Sequence, residues 1–269
     1  MKKITLICAA LMALALTGCK KTEKTSSADN SVAELKARGT FVLGLDDSFP
    51  PLGYRSDDNE IVGYDIDLGK EVAKRLGVSF KAQPIDWDAK EMELNTKRID
   101  CIWNGFTMTE ERINALSFSK AYLNNEQVLV VRAKDNIKSL SDMKGKVVGL
   151  QSGSSAQEAV DGNTSFKDSL GSIVFFKDNV TALNDLGISG VDGVVMDSVV
   201  ANYAISEGNL PYVIVDEALS RESYGIGFRK EDAQLRDEVQ KILEEMAKDG
   251  TVARISTKWF GKDISVIGK

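Results

Sequence analysis

I-D-C-I-W-N-G-F-T-M-T-E-E-R, residues 99 to 112, ends an apolar strand in a turn of small polar residues and then sets an arginine where helix physics disfavours one. With Thr109 as N-cap, Glu110 and Glu111 suit the positive end of the helix dipole, whereas Arg112, three residues past the cap, opposes it. A guanidinium beside the backbone N–H groups of Gly105 and Thr107 is a receptor for a carboxylate, because a planar fork donates two parallel hydrogen bonds and an ammonium does not. The competing reading pairs Arg112 with Glu110 or Glu111 on a solvated face.

Outward from this stretch, apolar runs alternate with amphipathic helices. Strands are predicted at Thr40 to Leu45, Val78 to Ala82, Ile99 to Trp103, Gln127 to Val131, Lys146 to Leu150, Ser172 to Phe176, Gly193 to Met196, Tyr212 to Val215 and Tyr224 to Phe228. Between them, Tyr64, Leu68, Val72 and Leu76 step at four-residue intervals up to Gly77, and Leu235, Val239, Ile242, Leu243 and Met246 form a similar stripe before Gly250. These stripes face a core. Strand and helix in alternation call for mostly parallel sheets with helices on both faces, an α/β fold that binds ligands at the carboxyl ends of its strands.

Polar residues sit at several of those ends. Asp46 leads into Asp47-Ser48-Phe49-Pro50-Pro51, a rigid turn that holds Phe49 in place, and the bland reading has Asp46 only bracing that turn. Lys146 to Leu150 runs into Gln151-Ser152-Gly153-Ser154-Ser155, a small-residue turn opening a helix whose bare N–H groups favour an anion; the alternative is an ordinary capped helix start. Asp197 either reaches a ligand or caps the helix from Ser198 to Ile205.

At the N-terminus, Lys2 and Lys3 precede an apolar run from Ile4 to Leu16, too short to span a bilayer as a stable helix and suited to a signal-peptide core. The run ends in Leu16-Thr17-Gly18-Cys19, which resembles a bacterial lipoprotein cleavage box, in which the cysteine becomes the first residue and is acylated; the alternative is a secretory peptide with an incidental cysteine. Two or three acyl chains anchor where one would not. With Cys8 lost and Cys19 carrying lipid, Cys101 is the remaining thiol, so no intramolecular disulfide forms and the fold relies on its core. Cys101, inside an apolar strand, is read as a small buried hydrophobe. Loss of residues 1 to 18, with two lysines and no acids, takes the net charge from -6 to -8, which argues against nucleic acid or an anionic membrane as partner of the globular part. Residues 19 to 36 are read as a lipid-anchored flexible tether, because Lys20 to Ala33 is nearly devoid of large apolar groups. The body that follows, about 235 residues, is large for one core and natural for two lobes.

Catalytic and cofactor motifs are mostly absent from the sequence. It contains no histidine, which removes Ser-His and Cys-His nucleophilic schemes and disfavours zinc. Neither a G-x-G-x-x-G nor a P-loop occurs, so no cofactor and no metal are expected.

Over its mature length the chain resembles the extracytoplasmic amino-acid-binding proteins of ABC importers, the type II periplasmic-binding-protein family of the glutamine-, histidine- and lysine/arginine/ornithine-binding proteins. The stretches that carry the resemblance are F-V-L-G-L-D-D-S-F-P-P at 41 to 51, I-V-G-Y-D-I-D-L at 61 to 68, residues 99 to 112, G-K-V-V-G-L-Q-S-G-S-S at 145 to 155, D-G-V-V-M-D at 192 to 197 and Y-G-I-G-F-R-K-E-D at 224 to 232.

The resemblance implies two lobes joined by two hinge strands, lobe one from 37 to 130 and 223 to 269, lobe two from 131 to 222. It implies that Arg112 grips a ligand's α-carboxylate with the N–H groups of Thr107 and Ser155. Asp197, the Thr107 hydroxyl and the Gly105 carbonyl would hold the α-ammonium. Phe49 and Trp87 would sandwich the ligand's side chain, and Asp46, Asn104, Gln151 and Met196 would complete the pocket. With no cation at a side-chain position, acidic ligands are disfavoured, leaving polar neutral ones (glutamine, cystine) or basic ones (arginine, lysine). The implied partners are a free amino acid, the permease subunits of an ABC transporter and, through Cys19, the extracytoplasmic face of the cell membrane; the protein is expected to be a monomer.

The same fold hosts enzymes such as the cyclohexadienyl dehydratases, and sensor domains. A dehydratase acting on a keto acid has no ammonium to pair, so Asp197 facing Arg112 favours the amino acid. The sensor reading is disfavoured because the sequence ends shortly after Trp259-Phe260.

Overall fold

A computed structural model describes residues 29 to 269. The expected signal peptide, the lipidation site Cys19 and the first part of the tether lie outside the described residues. The later part of that tether is not loose: Ser31–Arg38 forms helix α1, closed by Gly39 in the left-handed region, with Leu35 buried and Ser31 Oγ accepting from Leu235 N at 3.1 Å. Val32 and Leu35, three residues apart and so on one face of the helix, dock it on the core, and with so few apolar residues the segment's polar composition misled.

The chain continues through strand β1 (Thr40–Leu45), a small antiparallel meander of β2 (Ser48–Phe49), β3 (Gly53–Arg55) and β4 (Ile61–Val62), helix α2 (Tyr64–Leu76), β5 (Ser79–Pro84), α3 (Lys90–Asn95), β6 (Cys101–Ile102), α4 (Glu110–Ala115) and β7 (Ser117–Phe118). It then crosses into a second layered unit made of β8 (Leu123–Arg132), β9 (Val147–Gln151), α5 (Ser155–Gly162), α6 (Thr164–Ser169), β10 (Ser172–Phe176), α7 (Asn179–Gly187), β11 (Gly193–Asp197), α8 (Ser198–Glu207), β12 (Tyr212–Ile214) and β13 (Ser220–Tyr224). The chain returns in β14 (Gly227–Phe228), α9 (Ala233–Lys248) and α10 (Thr251–Phe260).

One lobe is built on the sheet β5-β1-β6-β14-β7 and the other on β10-β9-β11-β8-β12, with β13 paired to β8. The expectation of mostly parallel sheets holds for β5-β1-β6 and β10-β9-β11, but β8 runs antiparallel to β11, β12 and β13, and β14 antiparallel to β6 and β7. The physical reason is the crossing. A strand that enters a lobe from its neighbour arrives from the cleft side and opposes strands that end there. The two crossings pair with each other, Asn125 of β8 opposite Glu222 of β13. The run read as one strand from Tyr224 to Phe228 is therefore two, ending at Tyr224 and resuming at Gly227.

Both sheets are covered on both faces. Leu68, Val72 and Leu76 of α2 bury the stripe read from the sequence, each contributing about 1.5 to 3 kcal/mol, and Gly77 closes the helix at φ 76°. Leu235, Val239, Ile242, Leu243 and Met246 of α9 do the same, although Gly250 lies two residues past its end and leads into α10. Cys101 is buried and free. Among the described residues no helix is long and apolar enough to cross a membrane.

Candidate ligand-binding site

Between the lobes lies a narrow, nearly filled cavity. Its wall takes Asp46 from the end of β1, Phe49 from β2, Trp87 from a short 3₁₀ turn after β5, Asn104, Gly105 and Thr107 from the loop after β6, and Arg112 from the first turn of α4. Across from these stand Gln151 at the end of β9, Ser154 and Ser155 at the start of α5, and Asp197 at the end of β11. Every site residue expected from the sequence except Met196 lines this cavity. Met196 is fully buried in the hydrophobic core, because alternate residues of a strand face opposite ways and Asp197 takes the cleft side.

Arg112 is 6 % exposed. Thr109 caps α4, its hydroxyl accepting from Arg112 N at 3.3 Å, while the guanidinium turns away from Glu110 and Glu111. It lies 4.7 Å from the Phe106 ring and donates to Thr107 O at 3.1 Å and to Gly153 O of the other lobe at 3.2 Å. Among the described residues it pairs with no carboxylate, and burial lowers its pKa from the ordinary value. Taking a guanidinium out of water without a carboxylate is unfavourable unless an anion arrives from elsewhere. The N–H of Gly105, read as a carboxylate donor, is instead committed to Asp65 Oδ2 at 2.9 Å and Tyr122 Oη at 3.0 Å. That tie holds Gly105 at φ 57°, where a Cβ would run into Leu52 and Phe49.

Asp197 is 4 % exposed and does not cap α8. Its Oδ1 accepts from Tyr224 Oη at 2.6 Å, Asn125 Nδ2 at 2.8 Å and Gln127 Nε2 at 3.0 Å. Burial, and then the Glu222 carboxylate beside it, push its pKa up to about 7. Ser154, at the N-cap of α5, donates to Gln151 O at 2.7 Å instead of capping the helix, so the first N–H groups of α5 have no side-chain acceptor. Thr107 Oγ1 and Ser155 Oγ meet across the cleft at 3.0 Å.

At the far end of the cavity Asp46 braces its turn, accepting from Ser48 N at 2.9 Å, and also reaches over the cleft to Gln151 Nε2 at 2.8 Å. No cation among the described residues pairs with it, and burial raises its pKa to about 6. Trp87 is 8 % exposed and meets Phe106 edge-on at 5.8 Å. Burial and the Arg112 charge lower the pKa of Lys90 to about 8; its Nζ donates to Gly153 O at 3.0 Å.

Glu222 and Lys90 escaped the sequence reading. Glu222 sits two residues before Tyr224, the spacing that places both on one face of a strand, but β13 is short and polar and carries no apolar alternation. Lys90 follows Trp87-Asp88-Ala89 in an acidic surface segment and reads as a solvated lysine.

Residues 41 to 262 match the model of the bacterial extracellular solute-binding proteins, family 3. The L-cystine-binding protein TcyJ of Escherichia coli is 31 % identical over 244 residues, covering 90 % of each chain. The arginine-binding extracellular protein ArtP of Bacillus subtilis is 30 % identical over 264 residues, 97 % of this chain and 98 % of that one. An ABC uptake transporter substrate-binding protein from Streptococcus pneumoniae, solved with bound histidine, superposes with a TM-score of 0.86 at 35 % identity, covering 88 % of this chain and 98 % of that chain.

Proposed function

The chain belongs to the bacterial extracellular solute-binding proteins, family 3, and we propose that it is the substrate-binding subunit of an ABC importer that captures a free L-amino acid between its lobes and delivers it to a membrane permease. The observation that carries this reading is a buried guanidinium and a buried carboxylate, Arg112 and Asp197, unpaired with each other on facing walls of one cavity. A zwitterionic α-amino acid supplies the partner each lacks. Arg112, with the N–H groups of Thr107 and Ser155, takes the α-carboxylate; Asp197, with the Thr107 hydroxyl and the Gly105 carbonyl, takes the α-ammonium. Because the two poles belong to different lobes, ligand contacts exist fully only when the cleft is shut, and binding stabilises the closed form.

Phe49 and Trp87 wall the side-chain end, with Asp46, Asn104 and Gln151 as its polar groups. An unpaired carboxylate and an amide disfavour acidic ligands and suit a polar neutral or basic one. Lobe one is taken as 37 to 130 with 223 to 269, extended at its start by α1, and lobe two as 131 to 222, with the crossing strands β8 and β13, paired within the second lobe's sheet, running over both boundaries. The protein acts as a monomer held on the extracytoplasmic face by lipid on Cys19.

A thermal-shift screen over the twenty amino acids and cystine tests the reading. A true ligand at 100 times its dissociation constant adds about 2.7 kcal/mol of stability. Failure of every one to raise the melting temperature overturns it.

A further inference from the structure

Asp197 is not alone at the ammonium pole. Glu222, on the return strand β13, brings Oε1 to two of the same donors, Asn125 Nδ2 at 2.6 Å and Gln127 Nε2 at 2.8 Å, and also to Thr107 Oγ1 at 3.0 Å and Ser155 Oγ at 3.4 Å. Asn125 and Gln127 thus each serve both carboxylates, and the two acids are close enough for a protonated Asp197 to donate to Glu222. Every group that touches the pair is neutral. Arg112 is committed to the carbonyls of Thr107 and Gly153; Arg221 is turned to Glu126 at 3.0 Å; and Glu158 of α5, lining the groove outside Glu222, adds negative charge. Gln127 is fully buried and its Oε1 has no partner, so the amide that bridges the two acids also offers an unused acceptor at this pole.

Two adjacent carboxylates with no cation cannot both stay ionised at low cost in a buried place; a shared proton relieves them, and so does an ammonium. We infer that Glu222 is a second member of the ammonium receptor, sharing one proton with Asp197 while the cleft holds no ligand and surrendering it to solvent when an amino acid's ammonium takes its place. The inference rests on the reading of the cavity as an α-amino-acid site. The balance is simple: the protonated pair and the ligand cation give the doubly ionised pair bound to that cation, plus one proton released. The pKa of about 7 for Asp197 places this exchange near neutrality. Below that pH the empty pair holds its proton and must lose it, so affinity falls on acidification; well above it nothing is released.

The test is calorimetric titration of the full-length protein with L-arginine, or whichever of the twenty amino acids or cystine gives the largest thermal shift, in phosphate and in Bis-Tris, which both buffer near pH 6 and whose ionisation heats differ. At about pH 6 the wild type is expected to release close to one proton per ligand, and its Kd to weaken about tenfold per pH unit lost below about 6.5. Glu222→Gln keeps an acceptor for the surrounding donors and is expected to release about one proton fewer and to flatten that slope. Asp46 also titrates near this range, so Asp46→Asn is run alongside and is expected to retain the Glu222-dependent release. Binding by wild type without proton release overturns the inference and leaves the parent reading standing. So does a Glu222→Gln protein weakened equally at every pH with its proton count unchanged. If none of these compounds binds, the parent reading falls and this one with it.

Discussion

Asp46 and Gln151 close the far end of the cavity by a hydrogen bond of 2.8 Å that joins a strand end of one lobe to a strand end of the other. The carboxylate has no cation and the amide has another acceptor within reach, Lys177 O at 3.1 Å, so the pair can open to admit a side chain without stranding either group. This is the place where the chemistry of the ligand's side chain is decided.

Asp46→Asn is expected to weaken a basic amino acid about tenfold, the difference between a charge-assisted and a neutral hydrogen bond, and to leave glutamine within about threefold. For the basic ligand, affinity to the wild type should also fall as pH drops through about 6, where Asp46 takes a proton. Calorimetric titrations of both proteins with arginine and glutamine check this; equal losses for the two ligands would remove Asp46 from side-chain selection.

Arg112→Ala should cost about 2 to 5 kcal/mol of affinity, because a ligand carboxylate would be buried without its partner. Arg112→Lys should recover only part of that, since an ammonium cannot reproduce the planar fork. Wild-type affinity in the alanine variant, measured by isothermal titration, sinks the assignment.

Gly153 stands at φ 65°, and a Cβ there would press on Asp88 of the opposite lobe. Its carbonyl receives both Arg112 and Lys90. Gly153→Ala is therefore expected to disfavour the closed cleft and weaken binding by about 1 to 2 kcal/mol or more, and, because alanine is strained at this φ with the cleft open or shut, to lower the unfolding temperature of the ligand-free protein as well. Small-angle scattering with and without amino acid reads closure directly; full compaction at wild-type affinity would contradict this.

Buried acids with raised pKa values make the ligand-free protein more stable in acid. Asp65, buried and holding Gly105 N–H and Tyr122 Oη, is raised to about 7 by burial, so its contribution is present below the ordinary carboxylate value near 4 and is lost as pH rises to about 7. Asp65→Asn should flatten the stability curve between those limits, by on the order of 3 kcal/mol. Urea melts at intervals across that range test it; an unchanged slope in the variant would show that Asp65 does not titrate there.

Trp87 lines the cavity, Trp103 is fully buried in the core, and Trp259 donates to Asp67 at 2.8 Å. Amino-acid binding should change the intrinsic fluorescence, and Trp87→Phe should shrink that change while keeping a ring against the ligand. If Trp87→Phe keeps the full signal and Trp103→Phe abolishes it, Trp87 does not meet the ligand.

Cys19→Ser should release the protein from the membrane fraction, or leave it misprocessed, without loss of amino-acid affinity. Complete sedimentation of the variant with membranes would refute the lipid anchor.

Much of the site was legible because strand ends announce themselves: an apolar run that stops at Asp46, Gln151 or Asp197 exposes a polar side chain where the sheet meets its neighbour. Arg112 stood out by contradicting its helix dipole. Met196 was misplaced for want of strand phase, which decides the facing of every second residue and is invisible until one neighbour is fixed. Glu222 and Lys90 were hidden because a polar strand and a polar turn look the same whether water or another lobe covers them. The antiparallel crossings could not be read at all, since direction within a sheet leaves no local trace in sequence.

Strand β14 occupies an interior position in its sheet, between β6 and β7, yet it is made of Gly227 and Phe228, near the end of the chain. A ribosome or translocation channel delivering residues in order supplies every strand of the other sheet, one contiguous span, before it supplies this one. The inserted lobe can thus consolidate while its host is still an unfinished sheet with a gap, and the host becomes a folded body only after some 110 residues have been laid down since β7. Truncation between Tyr224 and Gly227 is predicted to leave one ordered half and one unfolded half, and a cleft with a single wall.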